Sequence, residues 1–129
     1  VIVDTSALLA VLQAEAGASD IADALARGEA RIVAPTLVEA RVVMGARFGP
    51  TGVRRLDALL RACDVQVVAF DERMAAVASD AYRDFGRGSG HPAGLNLGDT
   101  FSYALAAILD EPLLFVGADF IHTDLAPAL

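Results

Sequence analysis

"VIVDTSALL" (Val1–Leu9) decides how the rest of the chain is read. Three β-branched residues favour a strand, and the Ala/Leu run behind them favours a helix. Between the two stand an acid, Asp4, and two hydroxyl residues, Thr5 and Ser6. An acid at that junction either caps the helix or ends the strand as a ligand. If Thr5 or Ser6 starts the helix, the Asp4 carboxylate is left free.

The same alternation runs on through the chain. Residues 31–34 read as a short strand stopped by Pro35, with Thr36 capping a helix to about Phe48 that Gly49-Pro50 closes. Residues 65–69 and 113–116 read as further strands. Helices are expected over residues 6–13, 19–27 and 51–62, from the Asp71 cap to about Phe85, and over 98–109. The glycine-dense stretch 86–94 is the clearest loop. Val/Ile/Leu strands alternating with helices predict an α/β fold with a central, mostly parallel sheet. At 129 residues this is one domain, 1–129. In such sheets sites form beyond the carboxyl ends of the strands. That rule puts Asp4 and Asp119, which follows "LLFVG", on the same rim.

Composition narrows the function classes. No apolar run approaches the length of a membrane span, and no basic segment precedes the first strand, so neither an anchor nor a signal peptide is expected. One cysteine, Cys63, excludes an internal disulfide and favours a reducing, cytoplasmic setting. A net charge of -7 argues against a simple nucleic-acid-binding module. The charge is uneven, however. Residues 27–61 hold seven arginines against three acids, and the rest of the chain is strongly acidic. An arginine-rich flank beside an acidic centre suits phosphodiester chemistry.

Two more acids stand out. Glu39 falls on an apolar helix stripe with Val42, Val43 and Ala46, where a carboxylate needs a metal or an ion pair, Arg41 and Arg47 being the candidates. Asp99 opens a helix in "LNLGDTFSYALA", so capping competes with a ligand role. Asp71 and Asp124 read as caps or turn residues. His91 and His122 are isolated from each other and from Cys63, which leaves no zinc pattern. Neither GxSxG nor GxxxxGK[ST] occurs. Carboxylates from separate segments point to a hard divalent cation bound through oxygen.

"VIVDTSAL", "APTLVEA", "LNLGDTFSYALA" and "PLLFVGADFIHTDL" occur in this order along essentially the whole chain. Together they resemble the PIN-domain family, and within it the VapC toxins of type II toxin–antitoxin systems. The resemblance implies a three-layer α/β/α fold and a metal-dependent endoribonuclease. Its site would consist of Asp4, Glu39, Asp99 and Asp119 around Mg2+, with Mn2+ able to substitute, and with Ser6 as a supporting hydroxyl. Ala118 stands where many relatives carry a further acid. Implied partners are an RNA substrate, a cognate VapB-like antitoxin and a second copy in a homodimer, with no membrane. The competing readings are a non-catalytic module of the same fold that binds protein or RNA, and another metal-dependent phosphohydrolase.

Overall fold

The computed structural model describes all residues, Val1–Leu129. Its centre is the short strand β1 (Ile2–Val3), fully buried. It pairs in parallel with β2 (Arg31–Val33) on one side and β4 (Leu113–Leu114) on the other. Strand β3 (Gln66–Val68) adds in parallel to β2, giving the order β3-β2-β1-β4. The expected parallel sheet is present, with strands shorter than the apolar runs that announced them.

Five helices complete the chain: α1 (Thr5–Leu12), α2 (Ala18–Ala26), α3 (Ala34–Ala62), α4 (Glu72–Phe85) and α5 (Leu97–Leu109). Strand side chains alternate between the faces of a sheet, and the two cores follow that alternation. Val3, Ile32 and Leu114 pack with α1–α3 residues such as Leu8, Leu25, Met44 and Leu56. Ile2, Val33 and Leu113 pack on the other face with Met74, Ala78, Tyr103 and Leu105 from α4 and α5. The result is the three-layer α/β/α arrangement.

The start of one helix differs from expectation. Helix α3 begins at Ala34 directly after β2, with Val33 as N-cap and Pro35 inside the first turn. Proline is tolerated there because that N–H would have no acceptor. Thr36 therefore does not cap, and its buried hydroxyl has no hydrogen-bond partner. The break expected at Gly49-Pro50 is real: Gly49 adopts φ 64° and ψ -157°, outside the helical region. Arg41 then pairs with Asp57, sixteen residues on. A straight helix would hold them about 24 Å apart at 1.5 Å per residue, so the arms 34–48 and 50–62 fold back on each other.

The C-terminal segment also has a defined place. Leu113 donates to the Ala126 carbonyl at 2.9 Å and accepts from the Ala128 N–H at 2.9 Å, laying residues 126–128 along β4.

Candidate active site

Asp4 follows β1 and serves two purposes. It is the N-cap of α1, its Oδ2 accepting from the Ser6 N–H at 3.1 Å and from the Ser6 hydroxyl at 2.7 Å. The expectation that Thr5 or Ser6 would cap and leave Asp4 free is thus corrected. The reason is geometric, since Asp4 is the residue in extended conformation where the helical turn starts. Its other oxygen, Oδ1, accepts from the fully buried Ser102 hydroxyl at 2.5 Å. Asp4 is only 4% exposed, and both of its oxygens accept hydrogen bonds from within the chain. Ser6 reaches further: its Oγ accepts from the Val116 N–H at 3.0 Å. That contact ties the end of β1 to the segment leading to Asp119 and takes a backbone donor that would otherwise continue β4.

Asp99 is held by a capping box at the start of α5. The Asn96 side chain accepts from the Asp99 N–H at 2.8 Å, and Asp99 Oδ2 accepts from the Asn96 N–H at 3.0 Å. Capping and a ligand role therefore coexist, because one carboxylate oxygen is enough for the cap. Asp99 is 8% exposed, and burial is the main force pushing its pKa up to about 7. The hydrogen bond from Asn96 opposes the rise, while the charges of Asp4, Asp119 and Glu39 add to it. Three carboxylates from three other segments thus act on this one group.

Glu39 is half-buried on the 34–48 arm. The ion pair offered as its alternative is absent: Arg41 goes to Asp57, and Arg47 donates to Gln13 Oε1 at 3.1 Å. Glu39 lies instead against Gly98 in the first turn of α5. A Cβ added at Gly98 would fall 2.1 Å from Glu39 Oε2. Asp119 is exposed in the loop after β4, between Gly117 at φ 103° and the buried Phe120, whose ring packs 5.2 Å from that of Phe115.

The structure accordingly brings the four expected acids and Ser6 to the carboxyl-end rim of the sheet. No three Asp, Glu, His or Cys side chains close on one point as a ready-made cage of protein ligands. The site is an open rim. A cleft of about 380 Å³ lies elsewhere, lined by residues including Leu37, Asp57, Leu60 and Arg61, and holds none of the four acids.

Asp71 caps α4 through the Met74 N–H at 2.9 Å. Asp124 accepts from the Tyr103 hydroxyl at 2.7 Å; burial first, and then this bond, raise the pKa of Tyr103. His91 packs edge-on against Phe85, and its Nδ1 accepts from the Ala93 N–H at 3.1 Å. Most of the arginine-rich segment is engaged within the chain. Arg31 pairs with Glu111 at 2.9 Å, Arg54 donates to Thr51 at 3.2 Å and Arg55 to the Leu12 carbonyl at 2.6 Å. Only Arg27 and Arg61 of the seven lack such a partner, so the segment is less a free phosphate-binding band than its composition implies.

Sequence reasoning missed Asn96, Gly98 and Ser102. Helical spacing carried a signal for the last: Ser102 is three residues after Asp99, on the same face of an otherwise apolar helix.

The PIN domain family model matches residues 1–125. Ribonuclease VapC42 of Mycobacterium tuberculosis is 53% identical over 128 residues, covering 98% of this chain and 98% of the relative. Ribonuclease VapC28 of the same organism is 48% identical over 129 residues, covering 99% and 97%. Among solved structures, the crystal structure of the Mycobacterium tuberculosis toxin VapC20 matches with a TM-score of 0.74 and 18% identity, over 97% of this chain and 95% of that one. That last likeness concerns the fold alone. A match running from the first strand past the Asp119 loop, with relatives that align along nearly their whole length, leaves one assignment: the chain belongs to the PIN-domain family.

Proposed function

We propose that this protein is a VapC-type endoribonuclease, the toxin of a type II toxin–antitoxin pair, with residues 1–129 acting as one PIN domain. The observation that carries the reading is Asp99, buried at a strand-end rim and acted on by the charges of Asp4, Glu39 and Asp119. Four carboxylates gathered without a neutralising arginine repel one another. A cation relieves that repulsion.

The donor set fits Mg2+, with Mn2+ able to replace it. All four groups offer oxygen, and neither histidine nor the cysteine is among them. The open arrangement also fits, because Mg2+ keeps several waters and is commonly completed by substrate phosphate. Asp4, Glu39, Asp99 and Asp119 would hold the ion. When bound, it supplies Lewis-acid polarisation and neutralises charge developing on the phosphodiester.

The chain's own groups do the rest. Ser6 and Ser102 fix the two oxygens of Asp4, and the Asn96 N–H fixes one oxygen of Asp99. Hydrolysis requires a base for one proton of the attacking water. One of the four carboxylates, none of which an arginine neutralises, takes that role. The substrate is RNA, in keeping with the ribonuclease relatives. The open rim admits a polymer backbone where an enclosed cavity would not.

A VapB-like antitoxin and a second copy of the chain are the protein partners we assign. Exposed Val38, Val42 and Leu97 neighbour Glu39 and Gly98 in the chain and offer apolar surface for such contacts. No helix is long and apolar enough to cross a membrane, and we place the protein in the cytoplasm with its RNA.

The test is cleavage of structured RNA by purified protein. Activity requires Mg2+ or Mn2+, stops with chelator and leaves 5′-phosphate ends. Asp4→Asn and Asp99→Asn each reduce it by about 100-fold or more, at or beyond the upper end for residues that only support a ligand. Full cleavage by folded variants would remove these residues from the site, and cleavage in chelator would remove the metal.

A further inference from the structure

Helix α5 contributes one acid of the four, yet its first two turns touch the settings of all of them. Gly98, Asp99, Ser102 and Tyr103 stand at i, i+1, i+4 and i+5, a spacing that keeps them on one side of a helix. Each meets a different chain segment. Gly98 abuts the Glu39 carboxylate. Ser102, fully buried, donates to Asp4 Oδ1. Tyr103, 7% exposed, donates to Asp124 and so pins the far end of the loop that carries Asp119. The near end of that loop is pinned by Ser6 at Val116.

We propose that this side of α5 is the jig that registers the acidic site, with Gly98, Ser102 and Tyr103 as positioning residues for Glu39, Asp4 and Asp119. The inference rests on the reading of those four acids as a metal site. Gly98 gives it its sharpest form. Gly98 is not among the positive-φ residues, so its backbone does not demand glycine. Alanine would favour the helix there. What chiefly excludes a side chain is the Glu39 carboxylate at 2.1 Å from the would-be Cβ, the capping Asn96 Oδ1 standing further off at 3.3 Å. That carboxylate is the end of a flexible side chain and yields by swinging away. A methyl group at 98 therefore leaves the fold intact and moves a ligand.

Ser102 works by a different route. Without its hydroxyl, Asp4 loses the sole protein donor to Oδ1 and keeps only the Ser6 contacts on Oδ2. The carboxylate is then free to turn about the anchored oxygen. Tyr103 sets no carboxylate directly and acts through the Asp124 end of the loop.

The test measures Mn2+ binding by electron paramagnetic resonance, beside melting in chelator and RNA cleavage, for Gly98→Ala, Ser102→Ala and Tyr103→Phe. Gly98→Ala and Ser102→Ala are expected to bind Mn2+ about 10-fold or more weakly, the range for residues that orient metal ligands, and Tyr103→Phe less so. The diagnostic is opposite signs in Gly98→Ala: melting in chelator equal to or above wild type, Mn2+ affinity below it. A merely structural glycine would lower both. Wild-type Mn2+ affinity in Gly98→Ala and Ser102→Ala would overturn the proposal, as would lower melting in chelator for Gly98→Ala. Asp99→Asn separates the two readings. If it abolishes Mn2+ binding while the positioning variants bind normally, only the jig fails. If it binds normally, the metal site itself fails.

Discussion

At Asp99, two demands meet on one carboxylate: a helix cap that favours charge and a crowded, buried setting that opposes it. The second wins, and the group sits near 7 against an ordinary 3.8. A folded-state value above the unfolded one means that the native protein holds the proton more tightly. Metal-free stability therefore falls as pH climbs from about 4 to about 7 and levels off above that. Thermal melts in chelator across this range should show the decline, and Asp99→Asn should flatten it. A melt that rises with pH in the wild type would mean that Asp99 is not the dominant titrating group. The sequence made Asp99 visible as an acid at a helix start, but not its surroundings. Burial and the approach of Asp4, Glu39 and Asp119 depend on contacts between residues far apart in the chain, Asp4 and Glu39 lying in segments long before Asp99 and Asp119 in the loop beyond its helix.

Among the elements, those with strong local signals were legible. The β-branched run of β1, the Asp71 cap of α4 and the Gly49-Pro50 break of α3 all stand where the residues placed them. Thr36 was misleading because "TLVE" resembles a capping box, whereas β2 hands directly into α3 at Val33 and leaves the threonine hydroxyl inside the turn. The capping box that does form, Asn96 with Asp99, begins one residue before the helix and two before Gly98. Asn96→Ala should cost about 1 kcal/mol, the usual worth of such a cap. In a chain of this size that is a fall in Tm of roughly 3–5 °C. It should also weaken Mn2+ binding, since the same exchange orients Asp99. Calorimetry of the variant reads both effects.

Seen as a whole, the molecule divides its acids between its layers. Glu39 comes from the α3 side of the sheet and Asp99 from the α5 side, while Asp4 and Asp119 follow strands β1 and β4 of the sheet itself. A cation at the rim would thus join both helical layers at their shared edge. Millimolar Mg2+ at pH 7.5 is expected to raise the Tm of the wild-type protein, with chelator reversing the shift and Asp99→Asn abolishing it. Ligands stabilise folded proteins by mass action, so an unchanged Tm would mean no binding in that range. The α/β class was legible at this scale because the strand–helix rhythm is a local pattern. The fold-back of α3 and the pairing of most of the arginine-rich segment were not, since charge composition carries no record of which partner each arginine meets.

The strap of residues 126–128 along β4 has a consequence for behaviour in crowded solution. A sheet with two bare margins can be extended from either side, the usual start of strand-to-strand aggregation. Here one margin is already occupied by the chain's own tail. The other is a strand of three residues, too short to template a long ladder. A protein with so high an apolar fraction is in this way kept from growing by its sheet, and self-association is left to the side chains of its helices.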